Sequence, residues 1–138
     1  MNLRHPLAAA GLALAAAAPV HALDLTVEVL DARSDQGLVV AALYAAPDSW
    51  MKQPLKGARG AAAAGKVVLV FRGLEPGRYA LSALHDENGN GRLDSNVVGM
   101  PIERYGFSRD ARGQMGPPRF DDAAVELSAD TTLSITLR

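Results

Sequence analysis

From His85 to Asp94 the chain reads His-Asp-Glu-Asn-Gly-Asn-Gly-Arg-Leu-Asp. Side-chain oxygens recur at every second position, on Asp86, Asn88 and Asn90. Gly91 follows, then Leu93, then a further carboxylate on Asp94. When a backbone curls around an ion, such alternation turns each of those side chains toward one point. The sixth residue of the curl takes a conformation that glycine adopts cheaply. The pattern is the front of an EF-hand-type loop, with the Arg92 carbonyl as its position-7 ligand, and its hard oxygen donors suit Ca2+. It breaks at position 12, where Val97 stands in place of a bidentate Glu. A calcium site therefore needs water or another carboxylate. Glu103, Asp121 and Asp122 are the candidates, and Asn96 is nearer but a weaker donor. The plainer reading is a polar turn, since Asn-Gly is a strong hairpin signal that needs no ion. His85 suggests zinc, but it has no partner: His5 and His21 both lie near the N-terminus.

A second stretch holds recognition chemistry. Residues 103 to 120 carry Glu103 and the arginines Arg104, Arg109, Arg112 and Arg119, interleaved with Tyr105, Phe107 and Phe120. Guanidinium groups bind anions and aromatic rings stack on flat or apolar bodies. The plainer reading has the rings pinning the loop to the domain and the arginines paired to Glu103, Asp110, Asp121 and Asp122. Catalysis has little support. No serine sits in a Gly-x-Ser-x-Gly context, and His85 and Asp86, adjacent on a strand, point to opposite faces. A small hydrolase using Asp86 or Asp94 with Glu103 is the minor alternative.

These segments need a scaffold, and the flanking sequence reads as strands. Leu23–Leu30 and Thr131–Leu137 alternate apolar with polar; Leu38–Ala45 and Lys66–Arg72 are nearly continuous apolar runs. Arg78–His85 and Ala123–Leu127 complete six strands, with room for a seventh in the middle. Leu74-Glu75-Pro76-Gly77 reads as a tight turn with Gly77 at positive φ. Ser128-Ala129-Asp130 reads as the turn of a terminal hairpin. Asp48–Lys52 suits one helical turn with Trp50 packing down. No long amphipathic helix is visible, so the expected fold is an all-β antiparallel sandwich of about seven strands, immunoglobulin- or transthyretin-like, with one long ordered loop.

The chain has 138 residues, which suits one domain. Residues 1–22 read as a signal peptide. Arg4 and His5 precede an uncharged Ala/Leu run, and small residues precede a cut after Ala22. The run is too short for the ~20 residues that span a bilayer. Removing it leaves a single domain, residues 23–138, with no membrane span, destined for the periplasm or the exterior. Cysteine is absent, which excludes disulfides and thiolate ligands. The net charge of −1 offers no electrostatic case for nucleic acid.

The chain also resembles a known family. The motifs are Val39-x-Ala41-Ala42-Leu43-Tyr44; Leu74-x-Pro76-Gly77-x-Tyr79; His85 to Asp94; Gly99-x-Pro101-x-Glu103-x-Tyr105-Gly106-Phe107-Ser108; and Gly116-Pro117-Pro118-x-Phe120-x-Asp122-Ala123. They are similar to the bacterial exported proteins known as domain of unknown function 2141. The resemblance implies export and a sandwich near the transthyretin-like folds, and it implies no activity. The sequence therefore reads as an exported, non-enzymatic module. Asp86, Asn88, Asn90, the Arg92 carbonyl and Asp94 hold a structural Ca2+, and its partner is an unknown protein or small-molecule ligand. The alternative is a small-ligand or carbohydrate-binding module that uses Glu103, Arg104, Tyr105, Phe107, Arg109 and Arg112 without metal. The exported protein should begin at Leu23; an intact mass retaining residues 1–22 refutes the leader.

Overall fold

Alternation along the strands decides which side chains meet. In the computed structural model, which describes residues 10–13, 21–99 and 101–138, strand β1 spans Leu23–Leu30. Its Leu23, Leu25, Val27 and Val29 are buried and the residues between them are half-buried. The leader read at residues 1–22 lies largely outside the described residues. Strand β2 (Leu38–Tyr44) buries Val39, Ala41 and Leu43. Strand β4 (Lys66–Leu74) buries Val67, Leu69 and Phe71 while Val68 faces water. Strand β5 (Gly77–Asp86) buries Tyr79, Leu81, Ala83 and His85 on one face. Strand β3 (Lys56–Ala61), strand β6 (Tyr105–Phe107), strand β7 (Val125–Leu127) and strand β8 (Thr131–Thr136) complete the set. A four-residue helix, α1 (Phe120–Ala123), precedes β7.

Two sheets pack face to face. One is ordered β4-β1-β8, the other β3-β2-β5-β6, with β7 also paired to β5. Their inner faces make one continuous apolar core that includes Leu25, Val27, Val39, Leu43, Leu69, Phe71, Leu81 and Ile135. The sandwich expected from the sequence is present, and its middle strand is β6. The β1–β8 pair is parallel, however, from Leu25 opposite Thr131 to Leu30 opposite Thr136.

That pair corrects the terminal hairpin. β7 lies against β5, with Leu127 opposite Gly77, and β8 crosses to the other sheet. The side chain of Asp130, in the crossing, accepts the Asp24 N–H at 2.9 Å. A period of two tells which face a residue occupies, not which strand is its neighbour. The turn at residues 74–77 is also differently built. Positive φ falls on Gly73 (71°), not Gly77. The Tyr79 ring lies beside Gly77, where a Cβ would make ordinary contact with it at 3.7 Å. The Tyr79 hydroxyl donates to the Glu75 carbonyl at 2.6 Å. β3 escaped the sequence because Lys-Gly-Ala-Arg-Gly-Ala has no β-branched residue. It forms along β2, from Leu38 opposite Ala61 to Leu43 opposite Lys56.

A second apolar cluster sits on the outer face of the larger sheet. Tyr44, Trp50, Ala80, Phe107, Phe120, Ala123 and Ala124 are buried there. Trp50 is its centre, 4.9 Å from the Tyr44 ring, 5.9 Å from Phe107 and 6.0 Å from Phe120. Its indole N–H donates to the Pro118 carbonyl at 2.8 Å. Such ring pairs add ~0.5–1.5 kcal/mol each beyond burial. Ser108, fully buried, accepts the Leu81 N–H at 2.9 Å and donates to the Ala123 carbonyl at 2.6 Å. These contacts cover the second face of β2 and explain its continuous apolar run. Among the described residues no helix is long and apolar enough to cross a membrane.

Ile135 is fully buried on β8. Ile135→Ala should lower unfolding stability by roughly 2–5 kcal/mol. The urea midpoint checks this, and an unchanged midpoint contradicts the placement of β8 against β1.

Candidate functional site

The oxygen-rich loop begins where β5 ends. Asp86 is its last strand residue and is 1% exposed. A buried carboxylate needs donors, and Asp86 takes them from the loop itself. Its Oδ1 accepts Asn90 N–H at 3.1 Å and its Oδ2 accepts Gly91 N–H at 2.8 Å. Two Asx-type turns tighten the curl: Asn88 Oδ1 accepts Asn90 N–H at 3.2 Å, and Asn90 Oδ1 accepts Arg92 N–H at 3.0 Å. Gly91 takes φ of 80°, the left-handed value expected of the sixth loop residue, and Gly89 takes 69°. Asp94 closes the ring, receiving Asn88 Nδ2–H at 2.5 Å and Asn90 Nδ2–H at 2.7 Å.

Glu103, 7% exposed, sits across the ends of this loop. Its Oε2 accepts Glu87 N–H at 2.7 Å and its Oε1 accepts Asp94 N–H at 2.9 Å. Of the three carboxylates considered for the missing ligand, Glu103 is the one beside the loop. Asp121 lies by Arg78 (2.8 Å) and Arg119 (4.0 Å), and Asp122 accepts Arg119 N–H at 3.3 Å. Asn96 Oδ1 accepts Val98 N–H. A cavity of about 210 Å3 opens between Arg33, Glu87, Asn88, Asp94, Ile102 and Glu103.

Two supports of the loop were not visible in the sequence, since they come from the β1–β2 connection. Gly37 has φ of 74°, and a Cβ there would lie 2.1 Å from the Asp86 carbonyl oxygen, so the connection presses directly against the loop's first residue. His85, fully buried, joins the same connection. Its Nδ1 accepts Arg33 N–H at 3.1 Å, which leaves Nε2 to donate to the Gln36 carbonyl at 2.7 Å. The histidine is occupied on both nitrogens by backbone.

The charge balance here is uneven. Arg33 Nη1 stands 3.5 Å from Glu87 Oε1. Among the described residues, no ion pair reaches Asp86, Asp94 or Glu103. The Asp94 carboxyl is held below its ordinary value of 3.8. The Asn90 amide is the largest cause, acting against burial, with help from the Asn88 amide, a contact with the Glu103 carboxyl and the Arg92 charge. Among the described residues no three His, Asp or Glu side chains alone make a metal cluster. A cation here would draw on the asparagine oxygens and the Arg92 carbonyl as well.

The second stretch is divided by the fold. Glu103 belongs to the oxygen-rich loop, and Phe107 is buried under Trp50. Arg104 Nη1 donates to the Asp31 carbonyl at 2.9 Å. Tyr105 is half-buried and, with Phe107 and Arg112, lines a separate cleft of about 310 Å3. Arg109 is exposed outside it, at φ of 61°.

Because the folded state favours ionised Asp94, its stabilisation is complete above pH 3.8 and lost as pH falls through the lower folded value. Loop amide resonances followed by NMR from pH 6 to pH 2 should show this acid transition. Asp94→Asn should remove it; an identical transition in that variant assigns it elsewhere.

No curated protein and no solved structure matches the chain. The model of a family described as uncharacterized proteins conserved in bacteria (DUF2141) matches residues 27–135, from within β1 to within β8. The match spans both sheets and the whole oxygen-rich loop, so the chain belongs to the DUF2141 family.

Proposed function

We propose that the protein is an exported, non-enzymatic β-sandwich module whose 86–94 loop binds one structural Ca2+. The observation that carries this reading is the pair of buried carboxylates, Asp86 and Glu103, which hold the same loop that carries Asp94 and have no ion pair among the described residues. Buried charges in proteins are normally neutralised by a partner charge or a metal. Three carboxylates on one short stretch, met chiefly by backbone and amide donors, leave net negative charge, which a hard divalent cation offsets.

The ligand set would be Asp86, Asn88, Asn90, the Arg92 carbonyl and Asp94, with Glu103 in place of the position-12 Glu. The asparagine amides must adapt. Their Nδ2 groups donate to Asp94, whereas an ion requires their oxygens. The role of the ion is to relieve carboxylate repulsion and fix residues 86–103, and through Glu103 the start of β6. Export rests on the leader read at residues 1–22, and it would place the loop in millimolar calcium, where weak sites fill.

The test is the melting temperature in chelator, in calcium and in magnesium. At ten times Kd, ligand binding adds ~1.4 kcal/mol, or roughly 4–6 °C for a domain of this size. A rise of that order with calcium, lost in both Asp86→Ala and Asp94→Asn, is the expected result. No shift up to ~10 mM calcium, well above extracellular-type affinities, reduces the loop to a polar turn.

A further inference from the structure

The cleft at the other end of β6 has a charge pattern of its own. Its floor is Tyr105, Gly106 and Phe107; its walls are residues 110–113 and 116 on one side and Thr136 and Arg138 on the other. Two arginines, Arg112 and Arg138, are among its lining residues. Arg33, Arg72, Arg78 and Arg119 all stand within 4 Å of a carboxylate, and Arg104 donates to a carbonyl. Arg112 and Arg138 have no side-chain hydrogen bond or ion pair among the described residues. Nor does their neighbour Arg109.

One carboxylate, Asp110, also lines the cleft, and one of its oxygens is engaged by backbone. Asp110 Oδ1 accepts the Thr136 N–H at 2.9 Å, and the Arg138 main-chain oxygen accepts the Tyr105 N–H at 3.2 Å. The backbone is fixed in an uncommon shape at this wall. Arg109 and Asp110 are consecutive non-glycine residues at φ of 61° and 48°. Such geometry persists where surrounding contacts enforce it, and here the Asp110 bond to β8 and the Ala111 N–H bond to Ser108 do so.

We propose that this cleft binds a small organic carboxylate with an apolar body. Arg112 and Arg138 take the carboxylate and the half-buried Tyr105 ring takes the body. A volume of about 310 Å3 admits a molecule of benzoate's size. The Tyr105 ring favours a ligand with an organic body over an inorganic anion. The site shares no ligand residue with the calcium loop, and no hydrogen bond or ion pair joins Arg112 or Arg138 to residues 86–94.

The experiment titrates the purified protein with benzoate, benzamide and inorganic phosphate, in chelator and again in calcium, following Tyr105 and Gly106 amide resonances. Benzoate should saturate in both buffers, with benzamide at least ~10-fold weaker because it lacks the charge-assisted contact, and phosphate weaker because it has no ring to lay on Tyr105. Arg112→Gln and Arg138→Gln should each weaken benzoate about 10-fold with the melting temperature unchanged. Both side chains are exposed and unpartnered, so neither change should unfold the domain. No saturation by ~20 mM benzoate, which lies above the millimolar range of the weakest specific sites, overturns the proposal. Equal response to benzamide or phosphate does the same, as does full affinity in both variants. A failed calcium test leaves this outcome untouched.

Discussion

Burying a carboxylate without a counter-charge obliges the surrounding backbone to supply hydrogen bonds. Asp86 and Glu103 impose that obligation from opposite sides of one loop. Asp86 takes the amides of Asn90 and Gly91, and Glu103 takes those of Glu87 and Asp94. The path of residues 86–94 is therefore dictated by two acceptors that cannot turn to water. Gly37 is glycine because its backbone touches the carbonyl of Asp86, and His85 spends both ring nitrogens on that same connection. Glu103 in turn fixes where β6 begins, two residues on. Loop, connection and strand form one unit held by acceptor geometry more than by apolar burial.

The other half of the long segment follows a different rule. Residues 107–124 return across the outer face of the larger sheet, and Trp50 meets them there with Phe107, Phe120 and the Pro118 carbonyl. An aromatic cluster and one buried hydroxyl, Ser108, replace regular secondary structure as the means of fixing this chain. Because Phe107 faces the Trp50 cluster while Tyr105 and Gly106 stay at the cleft, three residues of strand serve both. β6 is short because each of its ends is already committed, to Glu103 on one side and Ser108 on the other.

The sequence shows the strands that bury one regular face. β1, β2, β4, β5 and β8 follow a period of two or a continuous apolar run, and the structure places them within a residue or two of that reading. β3 lacks any such signal and exists because β2 offers an unpaired edge. The terminal hairpin fails because local alternation carries no information on partner choice between sheets. At the candidate site, the alternating oxygens of 86–94 are legible since they are contiguous. Glu103 emerges only as one carboxylate among three, and only the fold distinguishes it from Asp121 and Asp122. Gly37 and Arg33 are illegible there, being some fifty residues upstream of the loop they support. The cleft at Arg112 and Arg138 is divided in the same way. Arg112 was singled out with its loop, but Arg138 comes from the far end of β8 and joins it only through the tertiary structure.

The parallel pairing of β1 with β8 also sets the order in which the molecule is completed. Asp24 and Asp130, which bond across that seam, are 106 residues apart in the chain. Closing so long a loop costs entropy before any contact returns it, and sheets built on distant pairings fold in milliseconds to seconds, not microseconds. Until β8 arrives, β1 has one bare edge, and Val27 and Val29 lack Leu133 and Ile135 alongside. A fragment ending at β7 therefore presents an open strand edge to solvent, a template for pairing with a second chain. The first strand waits for the last, so the domain's resistance to aggregation is acquired only when the final residues are in place.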